Sequence, residues 1–257
     1  MPNFAGKYFK MALIHSLEKS GNFLFRHRGE IPVVLVVAAI PVIYWTDYSR
    51  LESNSRLLFS LIAIFLSALG FLIRAYSIGT TPRGTSGRNT DKQVAESLNK
   101  TGIYSMVRHP LYLGNYLMWI GIVFFTFNFY FVVIVSLAFW LYYERIMFAE
   151  ERFLERKFGD EYLEWSKKVP AFIPSFKNYL PNIISFSLKS VFRREYSGFL
   201  ATVACFTFID LFRYFLQQHA LRWDRMSVYI LAASILITLV LRTLKHQTKI
   251  LDEAGRS

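Results

Sequence analysis

The chain has 257 residues, 53% of them hydrophobic, with 30 Lys and Arg against 18 Asp and Glu, a formal net charge of +12 and a mean hydropathy of +0.29. Its apolar residues are gathered into long uncharged blocks, the signature of membrane spans. The basic excess has no stacked-aromatic or groove-reading motif outside those blocks, which argues against nucleic acid, and the single cysteine, Cys205, excludes an intrachain disulfide and a thiolate metal cluster.

Residues 1–30 are polar and carry no visible signal peptide. Phe4, Tyr8, Met11, Ala12 and His15 fall near one helical face, which predicts an amphipathic helix lying on the inner leaflet. Apolar blocks at 31–46, 57–73, 110–143, 197–216 and 226–241 follow. One helix over 110–143 would be about 50 Å long against a hydrocarbon core of ~30 Å. Two helices with a tight turn at 127–129 fit better, which makes six transmembrane helices in an all-α, polytopic fold. Pro32 and Pro41 flank and interrupt the first of them, where neighbouring helices can re-satisfy the backbone. With the N-terminus inside, 25 of the 30 Lys and Arg fall on inner segments. That asymmetry predicts cytoplasmic termini and short outer loops at 47–56, 127–129 and 217–225. The expected location is the plasma (inner) membrane of a prokaryote, with the basic face against anionic headgroups.

Between the second and third spans, residues 79–89 are rich in Gly, Pro, Ser and Thr and read as an irregular surface loop. No strand precedes this loop and no Gly-Lys-Ser/Thr follows, so it is not a phosphate-binding loop. Arg108 and His109 are the last charged or titratable side chains before the uncharged 110–143 block. Pro110 starts a helix at that point, placing a guanidinium and an imidazole at a helix N-terminus suited to an anion. Basic residues also flank membrane helices with no other role.

From 140 to 158 there is neither Gly nor Pro, so the fourth span continues into the cytoplasm as far as Gly159. It carries Glu144, Glu150, Glu151 and Glu155, for which a solvated helix with Glu–Arg pairing is the simplest reading. Tyr162 and Trp165 come next, then Pro170 and Pro174 in an extended strap laid back along the membrane face. A basic linker over 177–194 leads to two further spans, on which Asp210 and Arg213 stand one helical turn apart and pair. Four segments result: 1–30 amphipathic, 31–97 the first two spans and a loop, 98–175 a core, and 176–257 the linker and a terminal hairpin.

Arg-His-Pro-x-Tyr-x-Gly at 108–114, an apolar hairpin, Glu-Glu at 150–151, Phe-Gly-x-x-Tyr at 158–162 and a proline-closed strap together resemble the integral-membrane methyltransferases related to isoprenylcysteine carboxyl methyltransferase and phosphatidylethanolamine N-methyltransferase. The resemblance covers roughly 98–175. It implies S-adenosyl-L-methionine as cofactor at the cytoplasmic surface, no metal, and a lipophilic acceptor entering from the bilayer. It makes Arg108, His109 and Glu151 the catalytic candidates and His109, Tyr112, Gly114, Glu150 and Glu151 the cofactor-binding ones. Gly114 would let the cofactor approach the backbone. O-methylation of a lipid or prenylated carboxylate or phosphate is expected ahead of aminolipid N-methylation. NADPH-dependent membrane sterol reductases share part of the first motif. They differ where this chain has Leu111, Asn115 and Ala149-Glu150-Glu151-Arg152. A non-catalytic membrane scaffold is the remaining alternative.

Overall fold

A computed structural model of the protein describes residues 4–49, 51–82, 84, 85, 93 and 95–256, with the side chains of all but 4–11, 31, 32 and 178. Among them the chain forms eight α-helices: α1 (Phe4–Arg26), α2 (Ile31–Trp45), α3 (Ser53–Gly79), α4 (Pro110–Phe124), α5 (Phe129–Phe158), α6 (Asp160–Lys168), α7 (Leu188–Gln218) and α8 (Met226–Gln247). Four of these, α3, α5, α7 and α8, are long and apolar enough to cross a membrane, and two shorter apolar helices stand beside them over Val33–Trp45 and Pro110–Phe124. The six apolar segments expected from the sequence are thus all helical, two of them below the usual spanning length. Leu61, Phe65, Leu137 and Leu236 point outward, as an apolar belt facing lipid should.

Small residues set the packing of the bundle. α3 and α4 meet backbone to backbone: a Cβ on Gly121 would lie 2.5 Å from the Ala63 carbonyl oxygen, and one on Gly70 2.5 Å from that of Gly114. In lipid, where apolar side chains gain little by leaving the solvent, such close approach is what holds helices together. Ser67 adds a hydrogen bond from its hydroxyl to the Met118 carbonyl at 2.9 Å. Aromatic and aliphatic side chains then fill two clusters. One, around Ile43, Ile122, Phe131 and Ile209, lies where α4 turns into α5; the other, around Phe25, Phe139 and Ile146, lies at the opposite end.

The turn expected at 127–129 is present. Phe127 takes a left-handed conformation with φ of 60°, and the Asn128 side chain caps α5 by accepting from the Phe131 N–H at 3.0 Å. α5 runs on past its uncharged stretch to Gly159, whose φ of 53° suits glycine at a helix end.

Two expectations are corrected. α1 does not lie free on a membrane face. It runs antiparallel along the far half of α5, with Gly21 against the Arg145 carbonyl, the Tyr142 hydroxyl donating to the Leu24 carbonyl at 2.7 Å, and Arg156 paired with Glu18 at 2.6 Å. Its buried face is Gly21 and Phe25, whereas Ala12 and His15 are exposed and the side chains of Phe4, Tyr8 and Met11 lie outside those described. Second, α7 starts at Leu188, so Lys189, Arg193 and Arg194 belong to a helix and not to a linker. Ser187 caps it by accepting from the Ser190 N–H, a cap that overrides the charge run. The end of the chain folds back to this same end of the bundle, where Arg256 donates to the Gly79 carbonyl at 3.0 Å.

Candidate functional site

Arg108, His109, Glu150 and Glu151 meet at the end of the bundle where α4 begins and α5 leaves its uncharged stretch. Backbone pairing builds the frame. The N–H groups of Arg108 and His109 donate to the Pro170 and Ala171 carbonyls at 2.9 and 3.1 Å, and that of Ser175 to the Met106 carbonyl at 2.9 Å. The proline-rich segment is therefore strapped across the start of α4, since extended residues beside a proline leave their carbonyls free to accept.

Onto this frame the side chains fold in a fixed order. The Arg108 guanidinium donates through Nε to Glu151 Oε1 at 2.9 Å and through one terminal nitrogen to the Ser166 and Val169 carbonyls at 2.7 and 2.8 Å. Those two carbonyls lie at the C-terminal end of α6, where the helix leaves them without partners of its own. This alters the role expected for Arg108: its guanidinium locks α6 and the strap to α5 in place of standing ready at a helix N-terminus. His109 is 6% exposed. Its Nε2 lies 2.9 Å from Glu151 Oε1 and its Nδ1 3.5 Å from Glu150 Oε2, and its ring stacks on Tyr112 at 5.5 Å. Burial alone would lower the imidazole pKa, but hydrogen bonds and charge from Glu150 and Glu151 outweigh it and hold it above the ordinary value. In the same way burial would raise the carboxyls of Glu150 and Glu151, and His109, joined by Arg108 at Glu151, brings both below the ordinary value.

The cluster forms one wall of a cavity of about 240 Å³. Tyr104, Leu111 and Asn115 continue that wall, and Arg28 and Phe25 close it from the α1 side. The opposite wall comes from α3 and α7, where Arg74 donates from Nε and a terminal nitrogen to both carboxylate oxygens of Glu195 at 2.7 Å, and from the other to Asn115 Oδ1 at 2.6 Å. Asn115 in turn donates to the Tyr143 hydroxyl at 3.1 Å. Two polar groups that line the cavity, the Tyr162 hydroxyl and the Trp165 indole N–H, are buried with no hydrogen-bond partner. Buried orphans of this kind are uncommon and mark a place where a polar ligand can bind.

Of the residues singled out in the sequence, Arg108, His109, Tyr112, Glu150 and Glu151 line this cavity. Gly114 does not: a Cβ there would lie 2.5 Å from Arg74 Cγ and 2.8 Å from the Gly70 carbonyl. Packing of α3 is what demands glycine at that position. Glu144 is exposed, away from the cluster. Arg74, Glu195, Tyr162 and Trp165 were not read as site residues. For the first two the available signal was an isolated charge at the boundary of an apolar block; for Tyr162 it was membership of the Phe-Gly-x-x-Tyr motif. Among the described residues no group of three or more His, Cys, Asp or Glu is placed to hold a metal ion.

Known proteins resemble the chain as follows. The phospholipid methyltransferase family matches residues 58–161. Protein-S-isoprenylcysteine O-methyltransferase of Schizosaccharomyces pombe is 34% identical over 114 residues, 42% of this chain and 48% of that protein. The nickel-cobalt-cadmium resistance protein NccN of Alcaligenes xylosoxydans xylosoxydans is 32% identical over 176 residues, 64% of this chain and 76% of that one. The Xenopus laevis isoprenylcysteine O-methyltransferase is 29% identical over 160 residues, 61% of this chain and 54% of that protein, so the chain spans about half the length of these two methyltransferases. No solved structure matches the chain.

Proposed function

The chain belongs to the membrane methyltransferase family that includes the isoprenylcysteine and phospholipid methyltransferases, and we propose that it transfers a methyl group from S-adenosyl-L-methionine to a lipophilic acceptor at the inner face of the membrane. The observation that carries this reading is the cavity walled by His109, Glu150 and Glu151 on one side and by the Arg74–Glu195 pair on the other. S-adenosyl-L-methionine supplies an electrophilic methyl on a cationic sulfonium, together with an ammonium, a carboxylate and ribose hydroxyls.

The residues present fit those groups. Glu150, one third exposed toward the cavity, offers a carboxylate to an ammonium or to ribose hydroxyls. The orphaned Tyr162 hydroxyl and Trp165 N–H offer donors to a carboxylate. Glu151, tied to both Arg108 and His109, holds the imidazole in orientation and keeps its proton. Methyl transfer to a carboxylate or phosphate oxygen needs no proton removed and no covalent intermediate, so the chain's contribution is to orient the reactants and exclude water. Four arginines line the cavity: Arg28, Arg74, Arg108 and Arg194. That favours an anionic acceptor, with O-methylation ahead of aminolipid N-methylation. The names of the isoprenylcysteine relatives support the same order. The count of Lys and Arg supports a cytoplasmic site with both termini on that side, and the membrane we propose is the plasma membrane of a prokaryote.

Calorimetry with S-adenosylhomocysteine tests the cofactor site. His109→Ala and Glu151→Gln should bind it roughly 10- to 100-fold more weakly, about 1.4–2.8 kcal/mol, while remaining folded. Wild-type affinity in both variants would remove the assignment. Mass spectrometry of membrane lipids and prenylated thiols with and without the gene tests the acceptor, through the mass of one methylene gained.

A further inference from the structure

A second, larger cavity of about 760 Å³ lies between α3, α7 and α8, away from the His109 cluster. Its walls are Ile64, Phe71, Phe199 and Phe206, and its rim residues Leu57, Leu72 and Ile230 are exposed where the bundle faces lipid. Along α3 it reaches from Arg56 to Leu72, about 24 Å at the helical rise. One leaflet of hydrocarbon is about 15 Å deep, half of the ~30 Å core. The slot is therefore long enough for a whole acyl or prenyl chain with its headgroup.

Only one end of the slot is polar. Arg56, Arg213 and Arg225 lie there with Asp210, the only acid among its lining residues. Arg225 takes that carboxylate bidentately, at 2.7 Å to each oxygen, and the Ser227 hydroxyl donates to it at 2.6 Å. The one-turn pair of Asp210 with Arg213 expected from the sequence is present at 3.9 Å, and Arg225 shares the same carboxylate. Arg213 donates to the Phe125 carbonyl at 2.9 Å and lies over the Phe125 and Phe127 rings at 4.2 and 4.3 Å. Arg56 donates to the Leu51 and Tyr48 carbonyls at 2.9 and 2.5 Å. Carbonyls and ring faces orient a guanidinium without neutralising it, and Arg213 has a side chain only 11% exposed.

We infer that this slot binds an anionic lipid, with its phosphate or carboxylate at Arg213, Arg56 and Arg225 and one chain laid along α3 and α7. Three guanidiniums stand at this end with a single carboxylate, which Arg225 takes bidentately and Arg213 approaches at 3.9 Å while Arg56 donates to carbonyls. At the edge of an apolar phase that leaves positive charge that an anion offsets, and guanidinium forks match a phosphate bidentately. Lateral opening to the bilayer and a polar end at headgroup depth fit a lipid better than a soluble anion. The site is distinct from the place of methyl transfer. Arg56 and Arg74 are 18 residues apart on α3, about 27 Å, so a headgroup held at the first cannot reach the His109 cluster. The inference stands whether or not the chain is a methyltransferase.

The test uses the full chain in detergent, with phosphatidylglycerol, phosphatidylcholine of the same acyl chains, or inorganic phosphate added. Phosphatidylglycerol should raise the melting temperature by several degrees, phosphatidylcholine much less, and inorganic phosphate not at all. In native mass spectrometry titrations, Arg213→Gln and Thr202→Phe, which narrows the slot at mid-depth, should each weaken phosphatidylglycerol binding roughly ten-fold or more, with S-adenosylhomocysteine affinity unchanged. Equal stabilisation by the two lipids, or the same effect from phosphate alone, overturns the proposal. So does wild-type lipid affinity in both variants. Should Arg213→Gln not fold, Arg56→Gln carries the same decision.

Discussion

The two ends of the bundle handle buried charge in opposite ways. At the His109 end the acids and bases interlock: Arg108 and His109 share Glu151, Glu150 stands beside the imidazole, and Arg74 takes both oxygens of Glu195, with Arg28 and Arg194 on the same lining. At the far end the slot is lined by three arginines and one aspartate. An interlocked set with three acids among its bases suits ligands that carry charges of both signs, because each group can exchange a protein partner for a ligand partner. An unmatched set suits a ligand of one sign. The difference teaches that net charge counted over a chain says little about its sites; what decides is which charges share a partner in a medium where water cannot screen them.

The largest expected effect sharpens that contrast. Glu195 is buried, with its side chain 4% exposed, and Arg74's is 20% exposed. Glu195→Leu leaves the Arg74 guanidinium without its carboxylate at membrane depth and should cost about 3–5 kcal/mol in detergent unfolding. Arg74→Met combined with Glu195→Leu should recover most of it, because a buried pair is cheaper to remove whole than to halve. A loss below about 1 kcal/mol in the single variant would mean that the pair does not tie α7 to α3. Next comes the interface that positions both ends. Gly121→Leu drives a side chain into Ser67 and the Ala63 carbonyl and should cost about 1–3 kcal/mol, read from the same unfolding curves.

A pH titration separates the ends more finely. The pKa of His109 is raised above its ordinary 6.5, so its stabilising contribution is complete below that value and is lost as pH rises through the folded value. Glu150 and Glu151 are lowered below their ordinary 4.5, so theirs is complete above 4.5 and is lost as pH falls through the folded values. Melting temperature should hold level between about pH 4.5 and 6.5 and fall on either side. In His109→Gln the alkaline fall from this group should vanish. A decline of unchanged size there would place the titrating group elsewhere. Smallest of all, Glu155→Gln breaks the 2.6 Å pair with Arg152 one turn away, whose side chains are about one third exposed. It should move stability by no more than about 0.5 kcal/mol and leave S-adenosylhomocysteine affinity unchanged.

Local rules written in the sequence determined the elements and the chemistry of one wall. Uncharged runs gave the apolar helices, Pro110 and Gly159 gave the ends of α4 and α5, and the paired prolines gave the strap, because each depends on neighbours a few residues away. The order Arg108-His109 then Glu150-Glu151 across an apolar hairpin was enough to place those four side chains together, since a hairpin brings its two ends to one level. Tertiary packing alone decided the rest. Glu195 reads as one acid in a basic stretch until α7 is laid beside α3, 121 residues away in sequence, and meets Arg74. Gly114 reads as room for a ligand until α3 occupies that room. Asp210 keeps Arg213 one turn away at 3.9 Å, but Arg225, arriving from the start of α8, adds a bidentate partner that the sequence did not indicate. In each case the partner is chosen by which helix faces lie against each other, and a helix face has four or more possible neighbours that no local rule ranks.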